Sequence, residues 1–138
     1  MTKNSILWAR GLFVLYMLVL GFLCFWNFRS VPDVSRMILG IVALDKVIHF
    51  FMFLPFPVMF FLAVGYTPRK PWVLILYVLG IFLLGCAIGA GTEFGQGLTK
   101  YRHADPADFR ADSIALALSS LAVFITGLIH MFKRDNAA

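Results

Sequence analysis

Four stretches of the sequence are long and apolar enough to cross a lipid bilayer, and they constrain the fold more than any other feature. They cover residues 8–28, 47–66, 72–92 and 110–132. A membrane-spanning helix needs roughly 20 mostly apolar residues to cross about 30 Å of hydrocarbon. Within the bilayer, only helices and closed barrels satisfy every backbone hydrogen bond. The lengths therefore predict an all-α membrane protein, with four transmembrane helices forming a single domain over residues 1–138.

The composition supports a membrane protein and argues against nucleic acid as a partner. Hydrophobic residues make up 61% of the chain and charged residues 14%, whereas soluble domains have about 45–50% and about 25%. The net charge of +5 is then explained by lysines and arginines at the membrane surface. We expect membrane lipids as partners. We also expect the first span to be retained, because its apolar run exceeds that of a signal peptide and no small-residue cleavage site follows.

Two features modify the second span. Pro55 and Pro57 each remove a backbone donor, which predicts a kink over residues 51–54. Residues 37–44, with the sequence MILGIVAL, are too short to cross a bilayer. They predict a short interfacial or re-entrant segment on the outer face before the second span.

Glycines in the third span and a polar turn before the fourth indicate local structure. Gly85 and Gly89 form a GxxxG step, which lets another helix backbone approach closely and offers a surface for homo-oligomers. Asp105 followed by Pro106 predicts the start of the fourth helix, because Asp caps helices and Pro suits their first position.

Positive charge predicts the orientation of the four spans. An even number of spans puts both termini on the same side as the loop at 67–71. That loop carries TPRK and the C-terminal segment carries KR, and basic residues are enriched on the cytoplasmic side. Both termini are therefore expected in the cytoplasm, with nearly all of the acidic residues at the outer face.

Ionisable and amide residues gather at the outer ends of three helices, at spacings of three or four that put them on shared faces. An unpaired charge within a span costs about 2.5–3.5 kcal/mol, so these groups are expected to pair with one another in an outer-leaflet pocket. The simpler alternative is that these residues are solvated charges at the ends of the helices. The residues concerned are Asp45, Lys46, His49, Glu93, Gln96, Arg102, Asp105, Asp108 and Asp112.

Three blocks of this sequence together resemble the VanZ-like family. They are DKVIHFFMF from Asp45, TEFGQ around Glu93 and Gln96, and the series from Arg102 to Asp112. The family pattern is Asp-Lys-x-x-His, then Glu-x-x-Gln, then Arg-x5-Asp-x3-Asn followed by a glycine. From Gln96 onward the offsets match without a gap. The chain departs from the pattern at the family's asparagine, its following glycine and its Pro-Gly before the arginine, which are here Asp112, Ala115 and Lys100-Tyr101.

The resemblance covers residues 37–125 and implies a small multi-spanning protein of the bacterial cytoplasmic membrane. The name-giving members lower sensitivity to the glycopeptide antibiotic teicoplanin. Carried over by position, the family's polar residues are Asp45, Lys46, His49, Glu93, Gln96, Arg102 and Asp108. Asp112 adds a carboxylate to this set and changes the charge of the expected pocket.

Two functions follow, and the sequence leaves open whether the protein is an enzyme. In the first, the pocket binds an amphiphile or a lipid-linked envelope precursor, with Lys46 and Arg102 facing an anionic head group. In the second, an intramembrane enzyme acts on a lipid-linked phosphate. His49 would then be the base or nucleophile, and Glu93 or Asp108 would orient it.

A metal site is a further alternative. His49, Glu93, Asp108 and Asp112 are acceptable ligand types, but no HExxH-like spacing supports them. No metal and no cofactor are therefore expected.

Overall fold

The computed structural model of the chain describes residues 2–26, 37–38, 42–99 and 104–136, with the backbone alone at 37–38 and 42–43. Two strands of two residues, β1 (Met37–Ile38) and β2 (Val42–Ala43), pair antiparallel just before the second span. The rest of the described secondary structure is helical: α1 (Lys3–Phe25), α2 (Leu44–Phe53), α3 (Phe56–Val64), α4 (Pro71–Gly97) and α5 (Pro106–Asp135).

The predicted all-α class and its four spans are confirmed. The helices long and apolar enough to cross a membrane are α1, α2 together with α3, α4, and α5. The segment expected before the second span is extended in its described residues, as the β1–β2 pair, and α2 begins directly after it. The chain is a multi-pass membrane protein by the length and apolar character of these helices.

The second span breaks where its prolines predict. α2 ends at Phe53 and α3 begins at Phe56, because Pro55 cannot donate to the helix ladder and its ring crowds the preceding turn. A neighbouring helix covers the break, since the Tyr16 hydroxyl of α1 donates to the Met52 carbonyl at 2.7 Å. This satisfies a backbone oxygen at a point where lipid could not.

The helices share the burial unequally. Only 6% of the most apolar window of α1 is buried, against 39% for α5, so α1 lies at the edge and α5 lies inside the bundle. One group of buried apolar residues holds the middle of the bundle: Leu20, Cys24, Phe53, Phe56, Ile81, Ala115 and Leu116. A second lies between the start of α4 and the end of α5: Leu74, Val78, Val123 and Met131.

The GxxxG pair of α4, Gly85 and Gly89, packs against another helix of the same chain. A Cβ on Gly85 would lie 2.5 Å from Leu116 Cδ2, and one on Gly89 would lie 3.5 Å from Asp112 Oδ2. The absence of side chains therefore lets α5 approach α4 closely. Both glycines are buried. This face is occupied by α5 of the same chain, and a homo-oligomer through Gly85 and Gly89 stays a prediction.

The start of α5 agrees with its prediction, and α4 is longer than expected. Asp105 caps α5 by accepting from the Ala107 amide at 2.9 Å, and Pro106 is the first helical residue. α4 continues five residues beyond the predicted limit of its span, to Gly97, so Glu93 and Gln96 are helical. At this end of the bundle α1 and α4 finish while α2 and α5 begin. We call it the polar end, and it comprises Cys24, Leu44–His49, Glu93–Gln96 and Ala104–Asp112.

Candidate functional site

Lys46 lies at the centre of three carboxylates at the polar end. Its Nζ lies 2.9 Å from Asp45 Oδ2, 2.5 Å from Asp105 Oδ2 and 2.8 Å from Asp108 Oδ1. Two of these carboxylates come from α5 and its cap, so the lysine ties the first turn of α2 to the first turn of α5. All three donor positions of the ammonium are engaged.

All three carboxylates lie at the N-termini of helices. Asp45 and Asp108 lie in the first turns of α2 and α5, and Asp105 caps α5. The positive ends of two helix dipoles therefore converge on the carboxylates. The hydrogen bond from Lys46, together with that from the Ala107 amide, holds the pKa of the Asp105 carboxyl below its usual value.

His49 lies one turn deeper and faces carboxylates with both ring nitrogens. Its side chain is only 2% exposed. Nδ1 is 3.2 Å from Asp112 Oδ1 and 3.8 Å from Glu93 Oε1, and Nε2 is 3.7 Å from Asp108 Oδ2. Three helices, α2, α4 and α5, therefore meet around this imidazole.

Two carboxylate oxygens beside His49 have no hydrogen-bond partner. Glu93 Oε2 accepts from the Asp105 amide at 2.9 Å, and Asp112 Oδ1 faces the imidazole. The second oxygen of each, Glu93 Oε1 and Asp112 Oδ2, is buried without a hydrogen bond. Buried polar atoms are nearly always satisfied in folded proteins, and these two oxygens can still accept a hydrogen bond or contact a cation.

Gln96 is buried, but its contacts lead away from the charges. Its Nε2 donates to the Cys24 carbonyl at 2.8 Å, which ties the end of α4 to the end of α1. Its Oε1 is buried without a hydrogen bond. The expected helical neighbour of Glu93 is therefore a link between α4 and α1.

The polar end is rich in negative charge. Five carboxylates (Asp45, Glu93, Asp105, Asp108 and Asp112) accompany one lysine and one histidine; we call these seven residues the charged cluster. Arg102, expected beside them, lies outside the described residues. Arg110 on α5 is exposed, and no ion pair links it to another described residue. Lys46 is fully engaged by carboxylates, so the geometry does not support its expected contact with an anionic head group.

An apolar groove lies on the face of α2 opposite the charged cluster, and sequence reasoning missed it. It has a volume of about 420 Å³ and lies between α1 and α2. Val47 and Ile48, which separate Lys46 from His49, line its end nearest the cluster, and Pro55 lines its far end. The eight steps along the chain from Val47 to Pro55, at about 1.5 Å each, make it about 12 Å long. Its lining looks in sequence like any lipid-facing helix surface, and only the position of α1 beside α2 creates a concave shape.

Comparison with protein-family models, with curated proteins and with solved structures found no match for this chain. The resemblance to the VanZ-like family therefore stays a prediction carried by its three sequence blocks.

Proposed function

We propose that this chain is an integral protein of the bacterial cell envelope that binds an amphiphile, with the polar head at the charged cluster and an acyl chain in the α1–α2 groove. The observation that carries the proposal is that the first turns of α2 border both regions, on opposite faces of the helix. Lys46 and His49 belong to the cluster, while Val47 and Ile48 between them line the groove. A ligand with its apolar tail in the groove would reach the cluster with its polar head around the N-terminus of α2, and a volume of about 420 Å³ is within the range of ligand sites.

Lipid mass spectrometry on gently purified protein tests this function. We expect one class of amphiphile to co-purify with the parent chain. Ile48→Trp fills the groove and should reduce that retention at least several-fold without loss of helicity. Leu76→Trp is the matched control, because Leu76 is an exposed residue of α4 outside the groove. Equal retention by the parent and Ile48→Trp would refute the proposal.

The described contacts do not favour the enzyme alternative. A histidine that acts as base or nucleophile needs a ring nitrogen directed at the substrate. Both nitrogens of His49 face carboxylates, from Asp112 and Glu93 on one side and Asp108 on the other. We therefore retain amphiphile binding as the proposal. The resemblance to the VanZ-like family extends the proposal to lower sensitivity to glycopeptide antibiotics. Growth of cells that express the chain, measured in the presence of teicoplanin, tests this extension.

We further propose that both termini face the cytoplasm, so that the polar end lies in the outer leaflet. The exposed basic residues Arg69, Lys70 and Lys133 at the opposite end support this orientation. A C-terminal alkaline phosphatase fusion, active only outside the cytoplasm, should be inactive. An active fusion would mean that the C-terminus lies outside the cytoplasm, and the charged cluster would then lie in the inner leaflet.

A further inference from the structure

Two sets of potential cation ligands lie next to each other in the charged cluster. The first set is Asp45, Asp105 and Asp108, and the second is His49, Glu93 and Asp112. The first already holds a cation, because the Lys46 ammonium lies within 3 Å of all three carboxylates. In the second, the ligand atoms lie within 4.8 Å of one another. No described lysine or arginine pairs with it.

We propose that His49, Glu93 and Asp112 bind a divalent transition-metal ion, which takes the place that the ammonium has in the neighbouring set. Ligands about 2.0–2.1 Å from a tetrahedral ion lie about 3.3 Å from one another. Nδ1 of His49 is 3.2 Å from Asp112 Oδ1 and 3.8 Å from Glu93 Oε1. Small side-chain adjustments bring these atoms into a first coordination sphere.

The unsatisfied oxygens are an independent observation that points to the same ion. Glu93 is 7% exposed and Asp112 is 0% exposed, yet each has a buried oxygen without a hydrogen-bond partner. Two buried carboxylates this close to each other repel unless a cation or a proton lies between them. A divalent ion compensates both charges, whereas a neutral imidazole compensates neither and a protonated one compensates only one.

The surroundings of His49 resemble those of a metal-bound histidine. Such histidines usually direct the second ring nitrogen at a carboxylate, which fixes the tautomer and the ring orientation. Here His49 Nε2 faces Asp108 Oδ2 at 3.7 Å, and the other oxygen of Asp108 accepts from Lys46 at 2.8 Å. Asp108 is thus fixed by the lysine and is a positioning residue for His49.

The ligand set selects a class of metal. An imidazole nitrogen favours Zn²⁺ or Fe²⁺ over Mg²⁺ and Ca²⁺, which prefer oxygen ligands. Three protein ligands leave a coordination position open, as in sites where the metal also contacts a bound molecule. The metal site does not rest on the amphiphile proposal, because it is measured without added lipid.

Titration of the chelator-treated, detergent-purified chain with Zn²⁺ alone tests this site by calorimetry. We expect one high-affinity Zn²⁺ per chain. Asp108→Asn should weaken binding about 10–100-fold, as loss of an orienting partner does, and His49→Ala or Asp112→Asn should weaken it further. His130→Ala is the control for surface histidines, because His130 is exposed near the end of α5, and it should bind like the parent. If His49→Ala loses helicity, Glu93→Gln replaces it.

Either of two results would overturn the site. The first is a parent chain that binds no Zn²⁺, which would mean that a proton compensates the two carboxylates. The second is equal weakening by His130→Ala and by the ligand variants, which would mean adventitious binding at the surface. Co²⁺ substitution gives a second readout, since its visible absorption bands should appear with the parent and vanish with Asp112→Asn.

Discussion

The two ends of the helical bundle are held together by different forces. At the polar end, α2 and α5 are joined by ion pairs of Lys46 and by the carboxylates around His49. At the opposite end, α4 and α5 are joined by apolar packing of Leu74 against Val123 and Gly127. We call this the apolar end; it comprises Leu74, Val78, Val123, Gly127 and Met131. Interactions at the polar end depend on a particular partner, and interactions at the apolar end depend on volume.

The lipid environment makes this difference sharper than it would be in water. Between transmembrane helices there is little hydrophobic driving force, so close packing and polar contacts hold them together. Packing at the apolar end is tolerant of swaps that conserve volume. At the polar end, loss of one charge leaves another charge buried and unpaired. We therefore expect substitutions at the two ends to differ in size and in the kind of substitution that rescues them.

The largest effect is expected for Lys46→Met, which keeps the length of the side chain and removes its charge. It leaves three carboxylates without their cation, of which Asp108 is buried while Asp45, Asp105 and Lys46 itself are partly exposed, so we expect a loss of at most about 3–5 kcal/mol, the cost of breaking a buried ion pair. The free energy of unfolding in mixed SDS micelles measures the loss. Arg110→Met is the matched control, because Arg110 is exposed on α5 and should lose little. A loss of equal size in both variants would contradict the special role of the cluster.

A smaller loss is expected for Gly127→Ala at the apolar end. Its Cβ would lie 2.7 Å from Leu74 Cδ1 and 2.9 Å from Cδ2, and overpacking costs about 1–3 kcal/mol. Gly80→Ala on α4 meets no atom within 4 Å and should be neutral or slightly stabilising. The same unfolding assay applies to both.

Rescue separates packing from other causes at this position. Leu74→Val makes room for the added methyl group, so the double variant should be more stable than the sum of the two single losses predicts. Strict additivity would mean that the two side chains do not interact, and the volume argument for the apolar end would then fail.

The smallest of the three effects is expected for Gln96→Met, which removes a neutral hydrogen bond at the polar end. The bond from Gln96 to the Cys24 carbonyl links α1 to α4, and polar contacts between membrane helices average about 0.6 kcal/mol. Thr126→Val is the control, because Thr126 is exposed and bonds within its own helix. A loss as large as that of Lys46→Met would show that neutral and ionic contacts contribute equally at this end.

Much of the fold could be predicted from the sequence because its signals are local. The length of the apolar runs identifies four spans, the prolines at 55 and 57 identify the break between α2 and α3, and Asp105-Pro106 identifies the start of α5. The predicted first and last residues of the spans are less accurate than the predicted number of spans. The apolar run of the third span ends at Glu93, but helix α4 continues through Gln96 to Gly97. The backbone hydrogen bonds of the helix continue there because other helices provide partners for the two polar side chains.

The sequence predicts which residues gather at the site, but it does not predict which residue contacts which. Helical spacing put Lys46, His49 and Asp108 at one end of the bundle, but spacing does not determine which carboxylate each cation contacts. Gln96 has the same spacing from Glu93 as a site residue would have, yet it contacts α1. The groove between α1 and α2 has no sequence signal at all, since its shape depends on how two apolar helices pack.

The separation of Lys46 from its partners along the chain bears on how the protein is made. Two of the three carboxylates that hold its ammonium, Asp105 and Asp108, are 59 and 62 residues further on. During synthesis the second span therefore reaches the insertion machinery before the ribosome has translated these acids. Until then Lys46 has only Asp45 nearby and His49 has only Glu93, and a charge at membrane depth costs about 2.5–3.5 kcal/mol on insertion scales. The start of α2 is thus expected to stay at the interface, and it reaches its final depth only when the last helix is inserted.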